Sequence, residues 1–192
     1  MDKFKPSIPI RVGLIAYVAV VALGLMSYVF YKAMLISMVV SGVVSIFYLA
    51  LVLMLAIWSG IAYRSNNNNV ISFSHAFLAI YIVFVFCCVG KAFSSVVTYK
   101  LIDKNYGQKV YNLTVEKQKA EMKRANKTEE QQKEELALIR PEDYEQSYAA
   151  IAQNLGVMLA ATAVFSLLVA MFIKRSSEDL IRMNEQSKTI QG

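Results

Sequence analysis

The chain has 192 residues, 56% apolar and 18% charged, with a formal charge of +6, whereas soluble domains average about 45–50% apolar and about 25% charged. All 20 Lys and Arg and all 14 Asp and Glu fall outside four stretches, residues 12–31, 33–63, 65–90 and 146–173. That segregation argues against a soluble enzyme, and the absence of a basic–aromatic module argues against a nucleic-acid partner.

A helix rises about 1.5 Å per residue and a hydrocarbon core is about 30 Å thick, so about 20 apolar residues cross it. Each stretch is long enough, and none shows the period-2 alternation of a barrel strand. The sequence therefore predicts an all-α integral membrane protein, one membrane domain over residues 1–192, with spans near 11–31, 34–63, 72–99 and 147–173. The first apolar run follows Asp2, Lys3, Lys5 and Arg11. It is longer than the roughly 7–15 apolar residues of a signal peptide and no A-x-A-like site follows it, so a retained helix is expected. Tyr28 to Lys32 has the Tyr and Lys of an interface anchor, and the next span follows so closely that a tight hairpin through Tyr31 and Lys32 is expected. Asn66 to Asn69 cannot sit in lipid and form the second connection. Small residues at four-residue spacing, Ser41 with Ser45, Ala56 with Gly60 and Gly156 with Ala160, are candidates for close helix approach.

Between the third and fourth spans, residues 100–147 hold ten Lys or Arg and ten Asp or Glu, so the excess positive charge lies elsewhere. It sits at Lys3, Lys5, Arg11, Arg64, Lys174, Arg175, Arg182 and Lys188, on segments that share a side if four spans are present. The positive-inside rule assigns that side, with the tail at 174–192, to the cytoplasm of a cell inner (plasma) membrane and leaves residues 100–146 outside. The ten basic residues of the outer segment oppose this, because the rule counts positive residues and not net charge. The basic pI of about 9.2 then reflects a collar beside anionic lipid.

The outer segment is rich in helix formers. Residues 108–125 predict one helix with Tyr111, Val115, Met122 and Ala125 at roughly helical spacing. Thr128-Glu129-Glu130-Gln131 is a capping box that opens a second helix, folded back near Asn126, in which Leu136, Leu138 and Ile139 are expected to be the least exposed residues. Pro141 excludes Arg140 from helix and suits a first helical position, with Glu142 and Asp143 at the positive end of the dipole. The fourth membrane helix is thus expected to begin at Pro141 and to enter the membrane near Tyr148. The segment reads equally as a helical extracytoplasmic insert that docks a protein partner or a second copy and as a solvated spacer with none.

Two local motifs, Ser72-Phe73-Ser74-His75-Ala76-Phe77 and Asn126-Lys127-Thr128-Glu129-Glu130-Gln131, resemble those of a bacterial family of four-helix membrane proteins known only as a domain of unknown function. The first is similar to that family's Phe-Gly-x-Ala-(Phe/Leu) start of the third helix, with Ser74 where glycine is usual. The second is similar to its Ser/Thr-Glu-Glu-Gln. The resemblance spans nearly the whole chain and implies a helical hairpin, an extracytoplasmic helical insert and a cytoplasmic C-terminus. It carries no catalytic residue.

Cys87-Cys88-Val89-Gly90 resembles the cysteine motif of tetraspanins, but those cysteines lie in a loop and these lie in an apolar run, where they are expected to behave as small buried apolar groups. His75, the only histidine, has no Cys or carboxylate at ligand spacing. The Asn112 and Asn126 glycosylation patterns have meaning only in a secretory pathway. No carboxylate lies in a span and no H-E-x-x-H or G-x-S-x-G occurs, so neither catalysis nor a cofactor or metal is expected. The favoured function is a structural or interaction protein set in the lipid bilayer. The alternative is a small transporter or channel subunit with a polar path near Lys91, Gln153 and Asn154. Lys91 lies about 12 Å along a helix from Tyr99, and Asn154 about 9 Å from Tyr148. If both tyrosines mark the outer interface, the two side chains share a depth. Lys91 is then expected to donate to Gln153 or Asn154, or else to snorkel to the surface.

Overall fold

The computed structural model describes residues 4–174. Lys3, Arg175, Arg182 and Lys188 of the expected basic collar, and the tail beyond Lys174, lie outside the described residues. The chain runs through α1 (Ser7–Val29), α2 (Tyr31–Ile36), α3 (Met38–Ser65), α4 (Phe73–Val96, continued by a π-helical segment Val97–Ile102), α5 (Tyr106–Arg124), α6 (Glu129–Ala137), a 3-10 turn (Pro141–Asp143) and α7 (Tyr148–Ile173). Among the described residues four helices are long and apolar enough to cross a membrane: Ser7–Val29, Val39–Ser65, Phe73–Ile102 and Tyr148–Ile173. Their apolar residues are not confined to one face. Val39, Val43, Ile46 and Phe47 of α3 are exposed, as are Phe165, Leu168, Met171 and Phe172 of α7. Helices apolar all round and open at the surface call for hydrocarbon as their solvent.

Four helix starts share one device. Ser37, Ser72, Thr128 and Ser147 each accept at the side-chain oxygen from the backbone N–H three residues on, at 3.3 Å from Val40, 3.3 Å from His75, 3.4 Å from Gln131 and 3.1 Å from Ala150. Each satisfies one of the N–H groups a helix start leaves free. At Thr128 the Gln131 side chain returns a bond to the Thr128 N–H at 3.2 Å, which completes the capping box. Two expected boundaries change for this reason. A capping serine must leave the helical region, and Ser37 does so with φ −107 and ψ 111. The tight hairpin through Tyr31 and Lys32 is therefore replaced by the short helix α2, and the second span begins at Val39. At the fourth span Arg140 is extended and Pro141 opens a 3-10 turn. That turn ends, however, and α7 starts afresh at Tyr148 behind the Ser147 cap, so no helix runs on from Pro141.

Two compact units make up the chain. The first, residues 4–20, 49–90 and 155–174 of those described, packs by close approach. A Cβ added to Gly13 would run into the ring of Phe86, and one added to Gly60 would lie 2.9 Å from Cδ1 of Ile173. Ala56 and Gly60 are buried as a packing pair. Gly156 and Ala160 are not: both are exposed and nothing lies within 4 Å of a Cβ built on Gly156. Buried Ser59 donates to the Ala79 carbonyl at 2.8 Å, and Cys88, a buried free thiol beside buried Cys87, has its sulfur 4.0 Å from the Thr162 hydroxyl.

One end of this unit gathers three chain segments. Phe4 stacks on Tyr63 at 5.0 Å, the Lys5 N–H donates to the Tyr63 hydroxyl at 3.1 Å, and Arg64 donates to the Ile173 carbonyl at 3.4 Å. A cation at the last turn of α7 meets carbonyls that the helix leaves free. The Asn66 and Asn67 side chains close the end of α3 on the carbonyls of Ala62 and Tyr63. Asn68 and Asn69 turn the chain with φ of 53 and 61, a region asparagine tolerates better than most residues. The start of α1, the end of α3 and the end of α7 thus lie together, as an even number of spans between them requires.

The second unit comprises residues 21–48 and 91–154. Tyr106, at the start of α5, presents its ring edge-on to Tyr28 and Tyr31 at 5.2 Å each and to Tyr99 at 4.9 Å, the geometry aromatic quadrupoles favour. Asn126, with φ of 52, reverses the chain between α5 and α6, and a Lys127–Glu135 ion pair ties the reversal down. Leu136, Leu138 and Ile139 are not the least exposed residues here. Met122 is, at 1%, while Leu138 is 78% exposed. The reason is the number of neighbours: α5 packs against α2, α6, the π-helical segment and the 3-10 turn, whereas α6 rests on α5. Ser45, offered as half of a packing pair with Ser41, is exposed as well.

Candidate functional site

Lys91 stands on α4, and what surrounds it differs from what the sequence proposes. It lines two cavities of the second unit, of about 300 and about 140 Å3. The larger is walled by Leu23, Met34, Val44 and Tyr48, with Ser45. The smaller is walled by hydroxyl-bearing side chains, among them Tyr28, Ser94, Ser95, Thr98 and Tyr99, together with Gln146. Gly24 and Ser27 line both. Gln153 and Asn154 line neither; both are exposed on α7, and no described hydrogen bond joins them to Lys91. The amide partners expected from equal helical depth are therefore not brought to the lysine. Depth fixes height along a helix and leaves rotation about its axis free.

Local chemistry explains why polar side chains can sit here. Ser94 and Ser95 both donate to the Lys91 carbonyl, at 2.9 and 3.1 Å, and Ser27 donates to the Leu23 carbonyl at 2.8 Å. A hydroxyl bonded to its own helix is cheaply held in hydrocarbon. Gly24 lets α1 come close: a Cβ there would stand 2.7 Å from Cβ of Ser94. Beyond Val96 the helix widens, with the Asp103 N–H donating to the Thr98 carbonyl at 3.0 Å, a five-residue closure. Such π segments are frequent at functional sites. Neither Gly24 nor Ser27 is a motif residue; a serine three residues after a glycine in a charge-free run was the available signal.

A third cavity of about 620 Å3 is lined by both signs of charge, Lys100 and Lys104 with Glu142 and Glu145, and shares Tyr99 and Gln146 with the smaller Lys91 cavity. Beside it, Lys109 bonds Asp103 at 2.6 Å. That bond, with the Asn105 N–H and the Tyr28 hydroxyl, holds the Asp103 carboxyl below the usual carboxylate range. Burial, reinforced by the neighbouring phenols and Asp103, pushes the Tyr106 phenol up to about 12. His75 packs beside the Phe4–Tyr63 stack in the first unit, at 5.5 and 6.1 Å from the two rings. Among the described residues no group of three or more His, Cys, Asp or Glu side chains could hold a metal ion.

Four long apolar helices among the described residues, with apolar side chains exposed along them, mark a multi-pass, all-helical membrane protein. Residues 11–175 match the model of DUF4199, described as a protein of unknown function, and the chain belongs to that family. No curated protein and no solved structure matches the chain. Both motifs that carried the resemblance are helix starts, Ser72 capping α4 and Thr128 capping α6.

Proposed function

We propose that the protein is a non-enzymatic interaction protein of a bacterial inner (plasma) membrane, with both termini cytoplasmic and residues 100–146 presented outside as a helical insert for a protein partner or a second copy of the chain. The observation that carries this reading is the contrast within that segment. α5 is held on several sides, whereas α6 buries no residue and ends beside Leu138, 78% exposed. A helix fixed from beneath and open above is suited to be docked upon, and an isolated apolar side chain on it is the kind of anchor an interface uses. The gathering of Lys5, Arg64 and the end of α7 at one end of the first unit supports a shared cytoplasmic side under the positive-inside rule. The non-enzymatic reading is supported by spans without a carboxylate and by thiols buried on α4.

Labelling with a membrane-impermeant maleimide tests the orientation, since the native thiols are buried. Lys32→Cys and Leu138→Cys should label on intact cells and Ser65→Cys only after lysis; the reverse pattern overturns the topology. A photo-crosslinking residue at Leu138 should then trap a discrete partner or a dimer, and a lack of any adduct there would reduce the segment to a spacer.

A further inference from the structure

We propose that the two cavities flanking Lys91 form one binding site for an anionic amphiphile, its acid head on the Lys91 ammonium, its acyl chain along Leu23, Met34 and Val44. Three observations lead there, independently of the interaction reading. First, neither cavity that Lys91 lines contains a carboxylate. Lys91 is exposed, so its ammonium can be reached from outside the protein; a cation inside an apolar run needs a counter-charge, water or the interface, and no lining residue supplies the first. Second, the surroundings change character across the lysine: hydroxyls and the Gln146 amide on one side, aliphatic side chains on the other. A small soluble anion would leave the aliphatic wall unused, and a neutral lipid would leave the cation unused. Third, the larger cavity, about 300 Å3, stands at the lower limit of the roughly 300–1,000 Å3 typical of ligand sites. That size and a single cation match one chain and one acid group. A carboxylate from a free fatty acid and a phosphate from an anionic phospholipid that places one of its two chains in the cavity share this chemistry.

The test uses the full chain in neutral detergent and in phosphatidylcholine nanodiscs, with displacement of a fluorescent polyene fatty acid as the readout. Hexadecanoate, phosphatidylglycerol and hexadecanol are the competitors. At least one of the two acids should displace the probe and hexadecanol should not; the acid that competes identifies the source. Lys91→Met should weaken the competing acid at least about tenfold, the order expected for losing a charge-assisted hydrogen bond, while Lys91→Arg stays within about threefold. Val44→Trp fills the aliphatic side and keeps the charge. With unchanged circular dichroism it should also weaken binding about tenfold. Equal competition by acid and alcohol, or undiminished binding in folded Lys91→Met or Val44→Trp protein, overturns the proposal.

Discussion

Among the described residues every ion pair lies between positions 103 and 143, in the second unit, and the first unit has none. The first unit instead uses glycines that admit a neighbouring side chain, a hydroxyl on a carbonyl between helices, and aromatic packing at one end. The difference follows from the solvent each set of side chains suits. In hydrocarbon there is no hydrophobic drive between helices, so contact must come from dispersion at close range and from polar groups too small to be costly. Exposed charge pairs in water add little each, and the second unit, besides the close approach of Gly24 to Ser94, relies on caps, a left-handed turn and a tyrosine cluster to set its geometry. Packing tolerance and local backbone chemistry are therefore separable, and substitutions can separate them.

The largest effect is expected where close approach has no slack. Gly13→Val should lower stability by about 1–3 kcal/mol, as overpacking does, because its Cβ meets the Phe86 ring; Gly156→Val, with open space at its Cβ, should change little. Unfolding in mixed micelles measures both, and equal losses would break the contrast. Thr128→Ala should cost about 1 kcal/mol through the lost cap, appearing as faster hydrogen exchange in α6 while exchange in the first unit is unchanged. Ser59→Ala should cost about 0.6 kcal/mol, the average for a hydrogen bond between membrane helices, and a loss as large as that of Gly13→Val would mean that polar contacts, not approach, hold the first unit.

The smallest effects are those of pH on the second unit, and they run in opposite directions. Asp103 titrates below its ordinary value when folded. Its contribution is present above about pH 4 and is lost as pH falls through the depressed value. Tyr106 titrates near 12, so its contribution is complete below about pH 10 and is lost as pH rises through 12. Accessibility of a cysteine at Gln108 should rise in both windows and stay flat between them. A rise at one end only would mean that one group alone helps hold the start of α5, and a flat response that neither does.

How much was legible beforehand depended on the range of the interaction. The capping box at Thr128 was readable because its partners are three residues apart, and Ser37, Ser72 and Ser147 carry the same signal in weaker form, a lone serine before a charge-free run. Overlooking Ser37 and Ser147 moved two helix boundaries. Leu138 was misplaced because periodicity names a face and not what stands opposite: α6 has one neighbour and α5 has several. Gly156 with Ala160 failed where Ala56 with Gly60 succeeded, although the spacing is identical, since a small residue is a seam only if a second helix arrives there.

The sequence by itself determined the class of the protein, because charge cannot be left in hydrocarbon and its absence over four long runs is a one-dimensional fact. It also determined the two motifs through which the family could be read, since both are local helix starts. Which residues meet Lys91 was decided only in three dimensions. Helical rise gives Gln153 and Asn154 a depth, but both are exposed and line neither cavity, while the close approach of α1 at Gly24 brings Leu23 and Ser27 to the lysine. Depth is set by counting residues; azimuth is set by packing, which no single stretch of sequence contains.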